Sequence, residues 1–515
     1  MSKGKLILLV LLVSLLLIPP ACRTRNDAFV IALGDNIRTI DPIGSPSVDA
    51  ASERIRTLIF NSLVKKNEKF DYTGELATDP IKRSDDGLTY TFTLHDGVKF
   101  HNGKTLTSED VKYTLDLVFK SDFAKSASFY EGTGAEKHSY VKSVEAPDSK
   151  TVVVTLIKPW VGLLSNLVPV AIIPKDSYES QKTQPLGTGP FKFIRYDNAQ
   201  QVCDVEAFNE YWEGAPKLPA VRVRVISDMN ALQAELQAGR VDIAPMPTSL
   251  SPDAVKRLEQ DPNLQVKAFS GSNVVLLTLN TSSPPLDNVK VRQAIAYAID
   301  RESLIKNLLL GFGKIAHSII PEESWSYSTG QTYSYDPAKA KQLLSEAGVR
   351  FDKPVVYKLS GSSIAGRQYA GVIQNYLKEV GIPVEIQTPE QNTLFDELRR
   401  GNFQIAYTQW VGGNQDPIFY KDLFATSEIP TQTRPSRNRS RYSNAELDKL
   451  LDQAVNTFDR TKGRELYVKI QDTVSRDVPV FPLWYQSNIV IARKNVQNIQ
   501  VNASGDWGFV RNLSH

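Results

Sequence analysis

Apolar and polar positions alternate along the chain with two different periods, and the change from one to the other divides it. In residues 89–94, Tyr90, Phe92 and Leu94 recur at every second position between polar neighbours, which predicts a strand with one buried face. Asp96-Gly97 supplies a tight turn, and Val98 and Phe100 begin the expected partner strand. Asn102-Gly103 turns the chain again. Thr107 and Asp110 then make a capping box at the start of a helix whose Val111, Leu115 and Val118 share a face. Pro147-Asp148 predicts a further hairpin, feeding the β-branched run 151–157.

Beyond Gly187-Thr188-Gly189-Pro190 single strands are separated by helices. Strand patterns appear at 221–226, where valines alternate with arginines, and at 241–244; between them 229–238 reads as a helix stopped by Gly239. A strongly apolar strand is expected at 273–280, then a helix at 289–299, one from Asp300 to Gly311 and one from Asp336-Pro337 to Gly348. The clearest α/β unit is strand 355–359, helix 364–380, strand 384–387, helix 392–400 and strand 403–410. Ser443 and Glu446 read as another capping box, before a helix with Leu447, Leu450, Leu451 and Ala454 on its apolar face.

The chain is 515 residues long, beyond the size of one hydrophobic core, so two or three domains are expected. Its 41% hydrophobic and 23% charged residues are ordinary for globular proteins. Lys and Arg number 60 against 57 Asp and Glu, which gives no electrostatic reason to expect nucleic acid as a partner. The five histidines include no i,i+3 or i,i+4 pair and there are two cysteines, so neither a metal site nor a cofactor is expected, and Cys203 reads as a packed thiol.

The N-terminus reads as a leader. Lys3 and Lys5 precede an apolar run, 6–18, broken only by Ser14 and too short to span a bilayer. Pro19-Pro20-Ala21-Cys22 follows, resembling a bacterial lipobox in which residues 1–22 form a lipoprotein signal peptide and Cys22 takes the lipid. Such an anchor would hold the protein at a membrane surface outside the cytoplasm.

Longer motifs carry a family resemblance. Gly74-Glu75-Leu76-Ala77, the run from Asp86 through Gly103-Lys104, Thr107-Ser108-Glu109-Asp110-Val111, Gly187-Thr188-Gly189-Pro190-Phe191, Asn209-Glu210-Tyr211-Trp212, Tyr335-Asp336-Pro337 and Asp477-Val478-Pro479-Val480-Phe481-Pro482-Leu483 stand in order along the chain. Together they resemble the family 5 extracellular solute-binding proteins of ABC importers, which serve dipeptides, oligopeptides and nickel. The resemblance implies an α/β periplasmic-binding-protein-like fold of class II (cluster C), with two α/β lobes closing on a cleft and an extra α+β domain. It implies domain I from residues 27–61, 182–272 and 487–515, domain II from 62–181 and domain III from 273–486.

It also implies a monomer that passes a peptide or other small solute to a membrane permease and ATPase, and no catalytic residues. A ligand-sensing receptor for a signalling partner and an exported hydrolase are the alternatives. The chain contains neither a G-x-S-x-G elbow nor an H-E-x-x-H motif.

An enclosed peptide ammonium needs a carboxylate. In the peptide binders it lies three residues past the tryptophan of the motif read here as Gln409-Trp410-Val411-Gly412-Gly413, so that place holds Gly413, which predicts poor recognition of free dipeptides. Asp416 is the nearest substitute, and also suits the start of a helix before Phe419. The candidate ligand-binding residues are Trp410, Val411, Asp416, Tyr407, Trp484 and Tyr485, with Arg367 resembling a receiver of the peptide carboxylate. Val48 supplies backbone along an extended peptide.

Overall fold

The structure is a computed structural model and describes residues 28–45, 49–131, 137–410, 416–431 and 436–515. Two large mixed sheets organise it. The first has seven strands in the order Phe191–Asp197, Val202–Ala207, Ala220–Val225, Phe29–Leu33, Ile243–Pro245, Asn488–Arg493 and Leu264–Phe269. Phe29–Leu33 is parallel to both neighbours, and the other pairs are antiparallel. The strands therefore come from three separate stretches of chain.

The second sheet has six strands: Gly313–Ile315, Val480–Gln486, Val274–Leu279, Ile405–Trp410, Val355–Lys358 and Val384–Gln387. Its last three are mutually parallel. Val274–Leu279 is buried at all six positions, as a strand covered on both faces must be. Within the chain of the seven-stranded lobe, between Phe29–Leu33 and Phe191–Asp197, lies a smaller body around the four-stranded sheet Lys82–Arg83, Thr89–Thr93, Thr151–Leu156, Val141–Glu145.

Local rules account for most elements. The capping box at Thr107 and Asp110 is complete and starts the helix Ser108–Lys120, with Val111, Leu115 and Val118 fully buried. Asp336 caps Pro337–Ala347, which Gly348 ends in the left-handed conformation. Three expectations fail.

The strand Thr89–Thr93 pairs with Lys82–Arg83 and Thr151–Leu156, not with residues 98–100. Turns on either side fold 98–106 onto itself, Leu106 donating to the Val98 carbonyl and Phe100 to that of Lys104, while Val98 and Phe100 point into the core. The helix begun at Asp300 runs only Arg301–Asn307, because the Gly311 amide reaches back to the Ile305 carbonyl and widens the last turn. The cap of Ala445–Val455 is Asn444, whose side chain accepts from the Glu446 and Leu447 amides; Ser443 instead meets the Thr426 hydroxyl.

The chain crosses between the two sheets at residues 270–273 and again at 487. The two crossings lie side by side, with the Gln486 amide donating to the Asn273 carbonyl at 2.9 Å. A Cβ on Gly271 would stand 1.9 Å from the Gln486 carbonyl oxygen, so only glycine permits that approach. Asn488 ties the crossing down by donating to the Ser270, Asn502 and Ala503 carbonyls.

Candidate functional site

Ligand sites of open α/β sheets gather beyond the carboxyl ends of parallel strands. On the seven-stranded sheet that edge holds Asp35, just past Phe29–Leu33, and Met246, just past Ile243–Pro245. The Met246 amide donates to the Ile489 carbonyl at 2.6 Å, which places it beside the crossing. On the six-stranded sheet the same edge holds the turn after Val355–Lys358, the start of the helix Ile364–Glu379, and Trp410. The two sheets are joined by the crossings at 270–273 and 487.

Strand parity separates the aromatic candidates. Tyr407 and Trp410 are three residues apart on one strand, so their side chains leave opposite faces. Tyr407 lies on the face of Trp484, both ringed around Tyr369 at 6.4 and 5.2 Å between centroids. Trp484 is fully buried there. Burial raises the Tyr407 hydroxyl far above its ordinary range.

On the other face are Trp410 and Tyr485. The Tyr485 hydroxyl donates to the Ser318 and Ile320 carbonyls at 2.7 and 2.6 Å inside a second apolar cluster. Trp484 and Tyr485 are thus enclosed by protein and present no surface to a solute in this conformation. Trp410 is half-buried, its ring edge-on to Phe419 at 5.9 Å.

Asp416 is the polar centre of that face. Its Oδ1 accepts from the Ile418 amide at 2.9 Å and its main-chain oxygen from the Phe419 amide, so it forms the turn that leads into the helix Phe419–Phe424, whose N-cap is Ile418. Its Oδ2 accepts from the Tyr72 hydroxyl at 2.5 Å, and Tyr72 belongs to the smaller body. Burial pushes the Asp416 carboxyl up, opposed by the Tyr72 and Ile418 bonds and by the charge of Lys66. Burial presses Lys66 down to about 8, opposed by Asp416.

Asp71, next in the chain, pairs with Arg460, whose guanidinium lies 3.9 Å over the Trp325 ring. None of Lys66, Tyr72 or Arg460 carries a sequence signal; each acquires its role from a partner hundreds of residues away.

Arg367 is exposed in the first turn of Ile364–Glu379 and donates to the Gly361 carbonyl, clasping the preceding turn. It shares none of the contacts that Asp416 makes. Val411, Gly413, Val48 and Cys22 lie outside the described residues. Among the described residues no group of three His, Cys, Asp or Glu side chains could hold a metal ion, and no helix is long and apolar enough to cross a membrane.

Comparison with known proteins agrees with this architecture. The model of the bacterial extracellular solute-binding proteins, family 5, matches residues 71–431. The oligopeptide-binding protein AppA of Bacillus subtilis is 30% identical over 490 residues, 89% of this chain and 87% of its own. Heme-binding protein A of Haemophilus influenzae is 30% identical over 468 residues, 86% of this chain and 83% of its own. The crystal structure of the ABC transporter substrate-binding protein CtaP of Listeria monocytogenes superposes with a TM-score of 0.82 at 25% identity, over 94% of this chain and 98% of that one.

Proposed function

The chain belongs to the family 5 bacterial extracellular solute-binding proteins, the substrate-capturing components of ABC transporters, and from that premise we propose that its cargo is a short peptide held between the two large sheets and released unchanged. The observation that carries the choice of cargo is Asp416. A buried carboxylate whose protonation is favoured by burial gains most from an added cation, and a peptide supplies one in its terminal ammonium. Heme offers no such group, which is why the peptide reading is preferred over the cargo named for the Haemophilus relative. Trp410 would flank the ammonium end and exclude water from it. Gly413 leaves the family's usual place for this carboxylate empty, and Asp416 takes the role from the loop beyond it.

On this reading Cys22 is lipidated and the protein works as an anchored monomer; replacing Cys22 by alanine should release it from the membrane fraction, and retention there would refute the anchor. The cargo is tested by melting curves with pooled tri- to pentapeptides and their N-acetylated counterparts. Free-amine peptides at 100 times their Kd should stabilise the protein by about 2.7 kcal/mol. Acetylation, or Asp416→Asn, should weaken binding tenfold or more. Equal affinity for acetylated and free peptides would refute the assignment of Asp416.

A further inference from the structure

A charge of the opposite sign stands at the carboxyl edge of the seven-stranded sheet. Arg54 belongs to the helix Ala50–Ile59, which Asp49 caps and whose Ala51, Ile55, Leu58 and Ile59 face inward. Two residues on, Arg56 is paired with Glu53 at 2.6 Å. Arg54 has no such partner: among the described residues no carboxylate lies within ion-pair distance of it, and the nearest acid influencing it, Asp35, is exposed.

Its guanidinium instead lies 3.9 Å from the Met246 sulfur and 6.0 Å above the Trp507 ring. Met246 is the residue bonded to Ile489 at the end of Ile243–Pro245, so Arg54 sits at the carboxyl edge of the seven-stranded sheet, beside the crossings. Arg292 and Arg301, in the other lobe, are at least as buried, yet each donates to three main-chain carbonyls. Arg54 shows no equivalent set of acceptors.

A guanidinium partly withdrawn from water gains from an anion, and its planar fork fits a carboxylate in two parallel hydrogen bonds. The thioether and indole around it are apolar walls, suited to a singly charged planar group next to hydrocarbon. We infer that Arg54 is the carboxylate-binding residue of the cleft, so that the solute bears an anionic carboxylate received on the base lobe, with its cationic end toward Asp416. The inference rests on the peptide reading above.

The experiment uses calorimetry on the mature protein with one pool of tripeptides as free acids and the same pool as C-terminal amides. The wild type should bind the free acids at least tenfold more tightly than the amides. Arg54→Gln should lose that preference by weakening the free acids alone, leaving the amides unchanged, and Arg54→Lys should restore part of it. Equal wild-type affinity for acids and amides, or unaltered free-acid binding by Arg54→Gln, overturns the role of Arg54 while peptide binding stands. Binding of neither pool by the wild type overturns both readings together. Should Arg54→Gln fail to fold, Arg54→Lys and the wild-type contrast between acids and amides still decide it.

Discussion

The smaller body around the four-stranded sheet touches both lobes, and its two seams are built differently. Against the seven-stranded lobe it has no boundary: one apolar cluster runs from Phe29, Ile55 and Trp507 through Phe60 and Leu63 to Phe92, Phe100 and Leu167. Within the seam Lys125 is locked, its ammonium donating to the Pro42 and Pro169 carbonyls and paired with Glu53 at 2.7 Å. Against the six-stranded lobe the seam is a handful of polar contacts, Tyr72 on Asp416 and Asp71 on Arg460, with Arg83 lying 4.1 Å over the Phe458 ring. No apolar cluster spans it: the two large clusters of that lobe draw only on residues 274–485, and its Phe312 joins Ala32, Leu232 and Ile491 of the seven-stranded lobe instead. The comparison predicts that the first seam stays shut and that the second can open, so that closure would be motion of the six-stranded lobe against a unit made of everything else, about the crossings at 270–273 and 487.

The largest effect should follow from breaking the permanent seam. The Glu53 carboxyl would be raised by burial, but Arg56 and Lys125 hold it below the usual range. Glu53→Gln strands the Lys125 ammonium, whose side chain is 3% exposed, with carbonyls alone. Removing one partner of a buried pair typically costs about 3–5 kcal/mol, and urea unfolding should show a loss of about that size. A loss under about 1 kcal/mol would mean that the charge can reach water and the seam is looser than described.

Acid should attack the same seam less strongly. His101 belongs to the smaller body, yet its ring lies at hydrogen-bond distance, 3.0 Å, from the Gly189 carbonyl oxygen of the other side. Burial depresses it from 6.5 to about 4, with Lys192 adding to the shift and the Gly189 bond opposing it. The folded state then holds fewer protons than the unfolded chain between those values. Its contribution is complete above pH 6.5 and is lost as pH falls toward 4, by at most about 3 kcal/mol. Urea unfolding at pH 7 and pH 4.5 should show the decline, and His101→Gln should flatten it. An unchanged slope in the variant would assign the acid sensitivity elsewhere.

How much of this was legible in the sequence follows from the distance over which each feature is decided. Thr107 with Asp110, or Asp336 with Gly348, settle a helix end within a dozen residues, and both were readable. The seven-stranded sheet pairs Phe29 with Val221 and Leu264 with Arg493, and no pattern within a window foretells such partners; its discontinuity was visible only through the family resemblance. Trp484 and Tyr485 looked suitable for a pocket because aromatic residues close a strand there. Alternation cannot say that both faces of that strand are covered. Tyr72 went unnoticed because its hydroxyl acquires meaning from Asp416, 344 residues away.

The smallest effect on stability, and the sharpest test of the comparison, belongs to Arg460. Its side chain is half exposed, and its pairing with Asp71 lies across the seam that opens. Exposed ion pairs contribute at most about 1 kcal/mol, because water and salt screen them in both states. Arg460→Ala should therefore leave urea unfolding almost unchanged. The same contact exists only when the six-stranded lobe rests on the smaller body, so its loss should shift the resting population toward open forms, visible as an increased radius in solution scattering without solute. Added salt should expand the wild type in the same direction and the variant less. If Arg460→Ala instead destabilises the fold by 2 kcal/mol or more (about a thirtyfold change in the unfolding equilibrium), the contact is structural in every state and the two seams are alike.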